Sequence, residues 1–215
     1  MSEIRAICFD AFGTLLEIVD KRRPFGQLMN ERGTDHRAVD VLTRPLSLRE
    51  VAKELAIVIG EARLQELELD LDAERASIQL RPGMAVFWAA LRRADLRIGV
   101  CSNLAQPYAE PLLAILPGIP DALVLSFEVG FIKPQPEIFH CVREELGLRA
   151  EQILFIGDTP EADILGPRAV GMHAMTIDAF EAAVNGCEER RISAEEVQSP
   201  EIHQLLERVR ECVYS

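Results

Sequence analysis

Cys8-Phe9-Asp10-Ala11-Phe12-Gly13-Thr14-Leu15-Leu16 is the stretch on which the reading of this chain turns, because an apolar run from Ile4 to Phe9 delivers one carboxylate into a small-residue turn. A strand of that composition suits the buried centre of a parallel sheet, and in such sheets chemistry gathers just past the carboxyl ends of the strands. Asp10 occupies that place. Gly13 lets backbone approach a ligand closely, and Thr14 adds a hydroxyl on the same turn. By itself the segment fits two readings, a reactive carboxylate or an Asp that caps a turn.

Composition narrows the classes. With 215 residues, 48% hydrophobic and 27% charged, the chain can bury a full core as one domain plus an insertion. A formal net charge of -12 argues against a nucleic-acid or anionic-membrane surface, since neutralising phosphates takes clustered Lys and Arg. Cys8, Cys101, Cys141, Cys187 and Cys212 are odd in number, dispersed and without a CxxC pair, so they read as reduced and mostly core. No apolar run follows a basic start and none reaches membrane-spanning length, which places the chain in the cytoplasm as an expectation.

Outward from the opening turn the pattern changes at about Ile18, and Pro24 can open a helix at its first position. From Phe25 to Leu80 only helical periodicity is legible, with Leu48, Val51, Leu55 and Ile59 on one helix and Leu64, Leu67 and Leu71 on another. Ser47 and Glu50 form a capping box, and Gly60 is expected to follow the end of that helix. The acid-rich stretch from Glu61 to Glu74 reads as a solvated face.

Alternation of strand and helix resumes at Arg81-Pro82-Gly83. A helix carrying Val86, Phe87, Trp88, Ala90 and Leu91 precedes a strand, Leu96 to Cys101, that ends in Ser102-Asn103. A second strand, Ala122 to Leu125, leads through Ser126 to Lys133-Pro134. Pro136 opens a helix through Leu146 that Gly147 closes. The strand Ile153 to Ile156 then runs into Gly157-Asp158-Thr159-Pro160, and Met172 to Ile177 is a further strand. Beyond Asp178, Ser199-Pro200 and the spacing of Ile202, Leu205, Leu206 and Val209 predict a closing helix.

Strands alternating with helices imply an α/β doubly wound parallel sheet whose right-handed crossovers put every strand end on one rim. That rim would gather Asp10, Thr14, Ser102, Asn103, Lys133, Asp158 and Asp163. Each alone fits a cap, a turn or an ion pair; their shared position makes the site. Carboxylates facing one another repel unless a cation joins them, and an oxygen-only set suits Mg²⁺ beside a phosphate. Lys133 can offset the charge of a carboxylate and of a bound anion.

These residues resemble the motifs of the haloacid dehalogenase-like hydrolase superfamily. Its DxxxT motif corresponds to Asp10-Ala11-Phe12-Gly13-Thr14, its Ser or Thr after a strand to Ser102, its lysine to Lys133 and its acidic motif to Gly157-Asp158-Thr159-Pro160-Glu161-Ala162-Asp163. The likeness covers residues 1 to about 178. It implies a Rossmann-like core, residues 1–17 and 81–215, with a small helical cap at 18–80 inserted after the first motif. It also implies covalent catalysis, with Asp10 attacking phosphorus or carbon and water releasing the product. Mg²⁺ would be held by Asp10, the Phe12 carbonyl and Asp158, with Asp163 a further ligand or a supporting acid. Thr14 and Ser102, followed by Asn103, would hold the transferring group, and Lys133 would neutralise developing charge.

One residue departs from the phosphatase pattern. Phe12 stands where most phosphatases of the family carry a second Asp as general acid; family dehalogenases also have an aromatic there, which the chemistry permits because halide leaves without a proton. Those dehalogenases work without metal and carry a Ser-Asn type fourth motif, whereas Gly157-Asp158 and Asp163 keep the phosphatase arrangement. The expected activity is therefore an Mg²⁺-dependent phosphatase acting on a small anionic phosphorylated metabolite, with a metal-free 2-haloacid dehalogenase and a catalytically weak binding protein as the alternatives. Glu17 is a candidate substitute acid or a flap residue, and Arg22, Arg23 and Arg44 are candidate anion contacts or surface charges.

Overall fold

The computed structural model describes residues 3–31, 38–185 and 200–214. The opening apolar run folds as β1 (Ala6–Phe9), with all four residues buried. After a tight turn come β2 (Leu16–Ile18) and four helices: α1 (Pro24–Glu31), α2 (Ala38–Thr43), α3 (Leu48–Glu54) and α4 (Glu61–Ala76). The chain returns through β3 (Ile78–Leu80) to α5 (Met84–Arg93), β4 (Arg97–Ser102), α6 (Ala109–Ile115), β5 (Ala122–Leu125), α7 (Ser126–Val129) and α8 (Pro136–Leu146). β6 (Ile153–Gly157) runs into a π-helical turn at Pro160–Leu165, then α9 (Gly166–Ala169), β7 (His173–Thr176), α10 (Ile177–Asn185) and α11 (Pro200–Tyr214).

Five strands form one sheet in the order β5-β4-β1-β6-β7, and every pairing is parallel. β1 therefore lies at the centre, flanked by β4 and β6, and the strand order reverses about it. Side chains alternate as a pleat requires. Ile7 and Phe9 enter a core shared with Phe87, Leu91, Phe180 and Leu205 from α5, α10 and α11. Ala6 and Cys8 enter a second core shared with Phe139 and Val142 of α8. Helices on both faces make this the doubly wound architecture expected from the rhythm of the sequence. Burial holds the Cys8 thiol well above its ordinary pKa and lifts that of Cys101 to about 12. Cys187 and Ser199 lie outside the described residues.

Three local expectations are corrected. Ile78-Gln79-Leu80 is not helical but pairs antiparallel with Leu16–Ile18, so the entry to and exit from the four inserted helices lie side by side. A period of two over three residues is invisible in a window tuned to 3.6. Gly60 does not end α3. That helix stops at Glu54 because Ala56 adopts φ 50°, with Ala56 N–H donating to Lys53 O and Ile57 N–H to Ala52 O, a Schellman closure built on Ala. Gly60 is instead the residue before α4, and Ile59 belongs to the connection. Glu74, finally, is not on a solvated face but buried.

Candidate active site

Register explains why the polar residues meet. Phe9 lies opposite Val100 of β4 and Ile156 of β6, so Asp10 follows level with Cys101 and Gly157. Its N–H donates to Ile156 O at 2.8 Å, extending the sheet by one bond and aiming the residue off the rim. Asp10 is buried, as are Thr14, Ser102, Lys133 and Asp163.

Lys133 is the hub. Its Nζ lies 2.6 Å from Asp10 Oδ1 and 2.7 Å from Asp163 Oδ1, and sits 5.2 Å from the centre of the Phe155 ring. The strand-end residue Asn103 grips the lysine's backbone on both sides, accepting from Lys133 N–H at 2.7 Å and donating to Lys133 O at 2.9 Å. Ser126, the first residue after β5, in turn accepts from Leu104 N–H at 2.9 Å. A long flexible side chain is thus fixed at its root and at its tip. Asp163 uses its second oxygen to accept from Asp158 N–H at 3.2 Å and Thr159 N–H at 3.0 Å, folding the loop after β6 over itself.

Burial pushes the Asp10 carboxyl up to about 6, the Lys133 charge pulling the other way and Asp163 adding to the rise. Burial likewise opposes the lysine's charge, but the carboxylates outweigh it and hold Lys133 above its ordinary range. The cluster is short of positive charge. Asp10, Asp158 and Asp163 present carboxylate oxygens within 4.8 Å of one another, with one lysine among them.

The turn after Asp10 closes on Asp158. Gly13 takes φ +95°, and a Cβ there would stand 2.2 Å from Asp158 Oδ2. Only glycine permits that approach. Leu16 O accepts from Gly13 N–H at 2.8 Å. Because the peptide is trans, the Phe12 carbonyl on the same plane points away from Leu16. Thr14 Oγ1 is buried without a hydrogen-bond partner, a state that costs about 1–3 kcal/mol until a partner arrives. Oxygen donors alone, an uncompensated acid cluster and this orphan hydroxyl suit a divalent cation of the Mg²⁺ kind with an anion beside it.

Phe12 is half-buried and meets the Tyr108 ring edge-on, centroids 6.0 Å apart; Phe25 of α1 lies 6.3 Å from the same ring. The structure thus places all eight sequence-predicted site residues on one rim. It also adds residues that the sequence hid. Glu74 accepts from Tyr108 Oη at 2.7 Å and from the N–H groups of Arg22 and Arg23 at 2.5 Å each, joining the inserted helices to the core. Its only sequence signal was apolar neighbours, Leu67 and Leu71, on the same helical face. Of the candidate anion contacts, Arg22 pairs with Asp20 at 2.8 Å and Asp70 at 3.0 Å, and Arg44 with Glu54 at 2.5 Å. Arg23 is exposed beside Phe25 and Met29, on the wall of a cleft of about 480 Å³.

The central strand of a doubly wound sheet thus ends in a lysine-paired carboxylate, with further acids in the segment just after the neighbouring strand β6. The chain belongs to the haloacid dehalogenase-like hydrolase family, whose pattern it matches over residues 4–171. It is 31% identical to the phosphoserine phosphatase of Thermus thermophilus over 118 residues, 54% of this chain and 47% of that one. It is 27% identical to the glyceraldehyde 3-phosphate phosphatase of Methanopyrus kandleri over 179 residues, 81% of this chain and 72% of that one. The chain thus spans about half the length of the first of these relatives. Its fold matches that of a family enzyme from Bacteroides thetaiotaomicron in complex with magnesium and inorganic phosphate, with TM-score 0.58, 16% identity, and 80% and 93% of the two chains covered. Among the described residues no helix is long and apolar enough to cross a membrane.

Proposed function

We propose that this protein hydrolyses small phosphorylated metabolites through an aspartyl-phosphate on Asp10. The observation that carries the proposal is the buried cluster in which Lys133 bridges Asp10 and Asp163 while Asp158 packs against Gly13. The free Asp10 oxygen attacks phosphorus, the ester P–O bond breaks, and the leaving oxygen takes a proton. Water then attacks the phosphoryl group and returns Asp10 to its starting state. Lys133 offsets the negative charge that Asp10 and the phosphoryl oxygens bring together, already held in place before substrate arrives. Thr14 and Ser102 are assigned to the phosphoryl oxygens, and Asn103 acts through Lys133, whose backbone it fixes. The phosphatase names of the relatives support the substrate class.

Asp10, the Phe12 carbonyl and Asp158 would hold Mg²⁺. Asp163, with both oxygens taken by Lys133 and by loop N–H groups, fits the supporting place. A bound Mg²⁺ would supply the positive charge that the acid cluster lacks and screen the phosphoryl oxygens from Asp10. The inserted helices α1 to α4 serve as the cap, hinged at the paired strands β2 and β3. Phosphate release from a panel of phosphorylated metabolites, with and without Mg²⁺, tests this reading. EDTA should abolish release; turnover of 2-chloropropionate that survives EDTA would put the dehalogenase, which Phe12 alone favours, in its place.

Mg²⁺ should also raise thermal stability, because a ligand bound only by the native state stabilises it by RT ln(1 + [L]/Kd), about 2.7 kcal/mol at a hundredfold excess. Differential scanning fluorimetry should show that Asp158→Ala loses most of this shift. A shift of wild-type size in Asp158→Ala would remove Asp158 from the metal site.

Phe12 predicts selectivity. Aryl phosphates leave with little help from an acid, whereas alkyl phosphates need a proton, and a positioned general acid is worth roughly 10²- to 10⁴-fold. Wild-type kcat/KM should therefore favour p-nitrophenyl phosphate over alkyl esters. Phe12→Asp should narrow the gap, at some cost in stability as the contact with Tyr108 is lost. Equal wild-type rates that fall on alkyl esters in Glu17→Gln would show instead that the acid lies at Glu17.

A further inference from the structure

Arg81 leaves the last strand of the insertion and turns back toward the nucleophile turn. Its N–H donates to Leu15 O at 2.9 Å, and its guanidinium donates Nη1–H to Gly13 O at 3.1 Å. The other edge of the guanidinium faces Glu181 of α10 in a paired contact, Nε to Oε1 at 2.9 Å and Nη2 to Oε2 at 3.1 Å, with Asp178 at 3.3 Å from Nη2. Arg81 and Glu181 are both largely shielded, their side chains 21% and 23% exposed. Such a planar, two-bond pair fixes direction as well as distance, which a lysine cannot do.

We propose that Arg81 and Glu181 together are positioning residues for the nucleophile turn, setting the gap in which Asp10, the Phe12 carbonyl and Asp158 meet the divalent cation. Gly13 is held at both ends, its N–H by Leu16 O and its carbonyl by Arg81, and its Cα leaves no space before Asp158. A turn held this way cannot swing without moving the Phe12 carbonyl or the Asp158 carboxylate. Glu181 lies beyond residue 171, where the family match ends. The pair touches no reacting atom, and its effect runs through Gly13.

The inference rests on the metal-dependent reading of the site, and the experiment separates the two. Mg²⁺ affinity would be measured by titrating the thermal shift, alongside kcat and KM for p-nitrophenyl phosphate, in wild type, Arg81→Lys, Arg81→Met, Glu181→Gln and the double variant Arg81→Met/Glu181→Gln. Arg81→Met and Glu181→Gln should each weaken Mg²⁺ about tenfold or more and lower kcat with little change in KM. The double variant should be no worse than Arg81→Met, because residues acting as one unit are not additive. Arg81→Lys keeps the charge and an ion pair with Glu181, so it should fold with near-wild-type stability and still lose Mg²⁺ affinity. Wild-type affinity and kcat in a folded Arg81→Lys and in Glu181→Gln would overturn the inference alone. A wild type that shows no Mg²⁺ response would overturn the metal reading and this inference with it.

Discussion

Asp10→Asn is expected to abolish turnover while raising the melting temperature of the metal-free protein. The amide matches the carboxylate in size and keeps one oxygen facing Lys133, but it is no nucleophile, so loss of several orders of magnitude in kcat follows, about what removal of a covalent catalyst costs elsewhere. Stability moves the other way for an electrostatic reason. Asp10, Asp158 and Asp163 crowd one lysine, and removing one negative charge from a cluster that has too many relieves it. Burial raises the Asp10 carboxyl from 3.8 to about 6. A raised acid favours folding below its unfolded value, and that favour is lost as pH climbs through the folded value, so above about pH 6 the wild type carries the full cost of a buried charge. At roughly 1.4 kcal/mol per unit, the cost is of the order of 2–3 kcal/mol, and in a chain of this size each kcal/mol moves the midpoint by about 2–4 °C. Thermal melts in EDTA should therefore show Asp10→Asn above wild type at pH 7.5, with the difference gone near pH 4. A folded variant that still turns over repeatedly would remove Asp10 from the nucleophile's role. A variant less stable than wild type at pH 7.5 would mean that the lost bond to Lys133 outweighs the relieved repulsion.

Lys133→Met should be the most destabilising single change at the rim. It leaves Asp10 and Asp163, both buried, facing each other without the cation that now lies 2.6 and 2.7 Å from them. Removing one partner of a buried pair typically costs about 3–5 kcal/mol, and losing one preorganised charge-stabilising donor typically lowers kcat about 10²- to 10³-fold. The stability deficit should shrink as pH falls, since protonation of Asp10 removes the unpaired charge. It should also shrink in Mg²⁺, which brings a second source of positive charge to the same carboxylates. Melting curves across pH 5 to 8, with and without Mg²⁺, check both slopes. A deficit that ignores pH and metal alike would point to lost packing of the lysine stem against Phe155 rather than to charge.

How much of this was legible in the residues varies with the range of the interaction that decides each feature. β1, β5, β6 and β7 were read to within about two residues at their ends, because a run such as Ile153 to Ile156 buried on both faces is apolar without interruption. The helix starts at Pro24, Ser47 and Pro136 were equally plain, each being a local contact between a side chain or ring and its own first turn. β3 is not legible in the sequence because its three residues gain their structure from partners about sixty positions away. α10 is hidden for a different reason: the apolar run of β7 continues into it at Ile177, so no break in pattern marks where strand becomes helix.

The sequence by itself determined the type of the site, for strand ends on a parallel sheet share a rim whatever lies between them, and the acids, the lysine and the hydroxyls at those ends are all visible in order. Only tertiary structure decided what each of them touches. Whether Asp163 faces a cation or a lysine, whether Asn103 meets substrate or grips the backbone of Lys133, and whether Glu74 faces water or Tyr108 depends on contacts between residues 30 or more apart in most of these cases. The physical reason is that hydrogen bonds and burial set the charge and the direction of a polar side chain, and both are properties of the folded neighbourhood rather than of the residue. Arg81 shows it most sharply: nothing in Arg81-Pro82-Gly83 points to a glutamate 100 positions away, yet that glutamate aims the guanidinium at the carbonyl of Gly13.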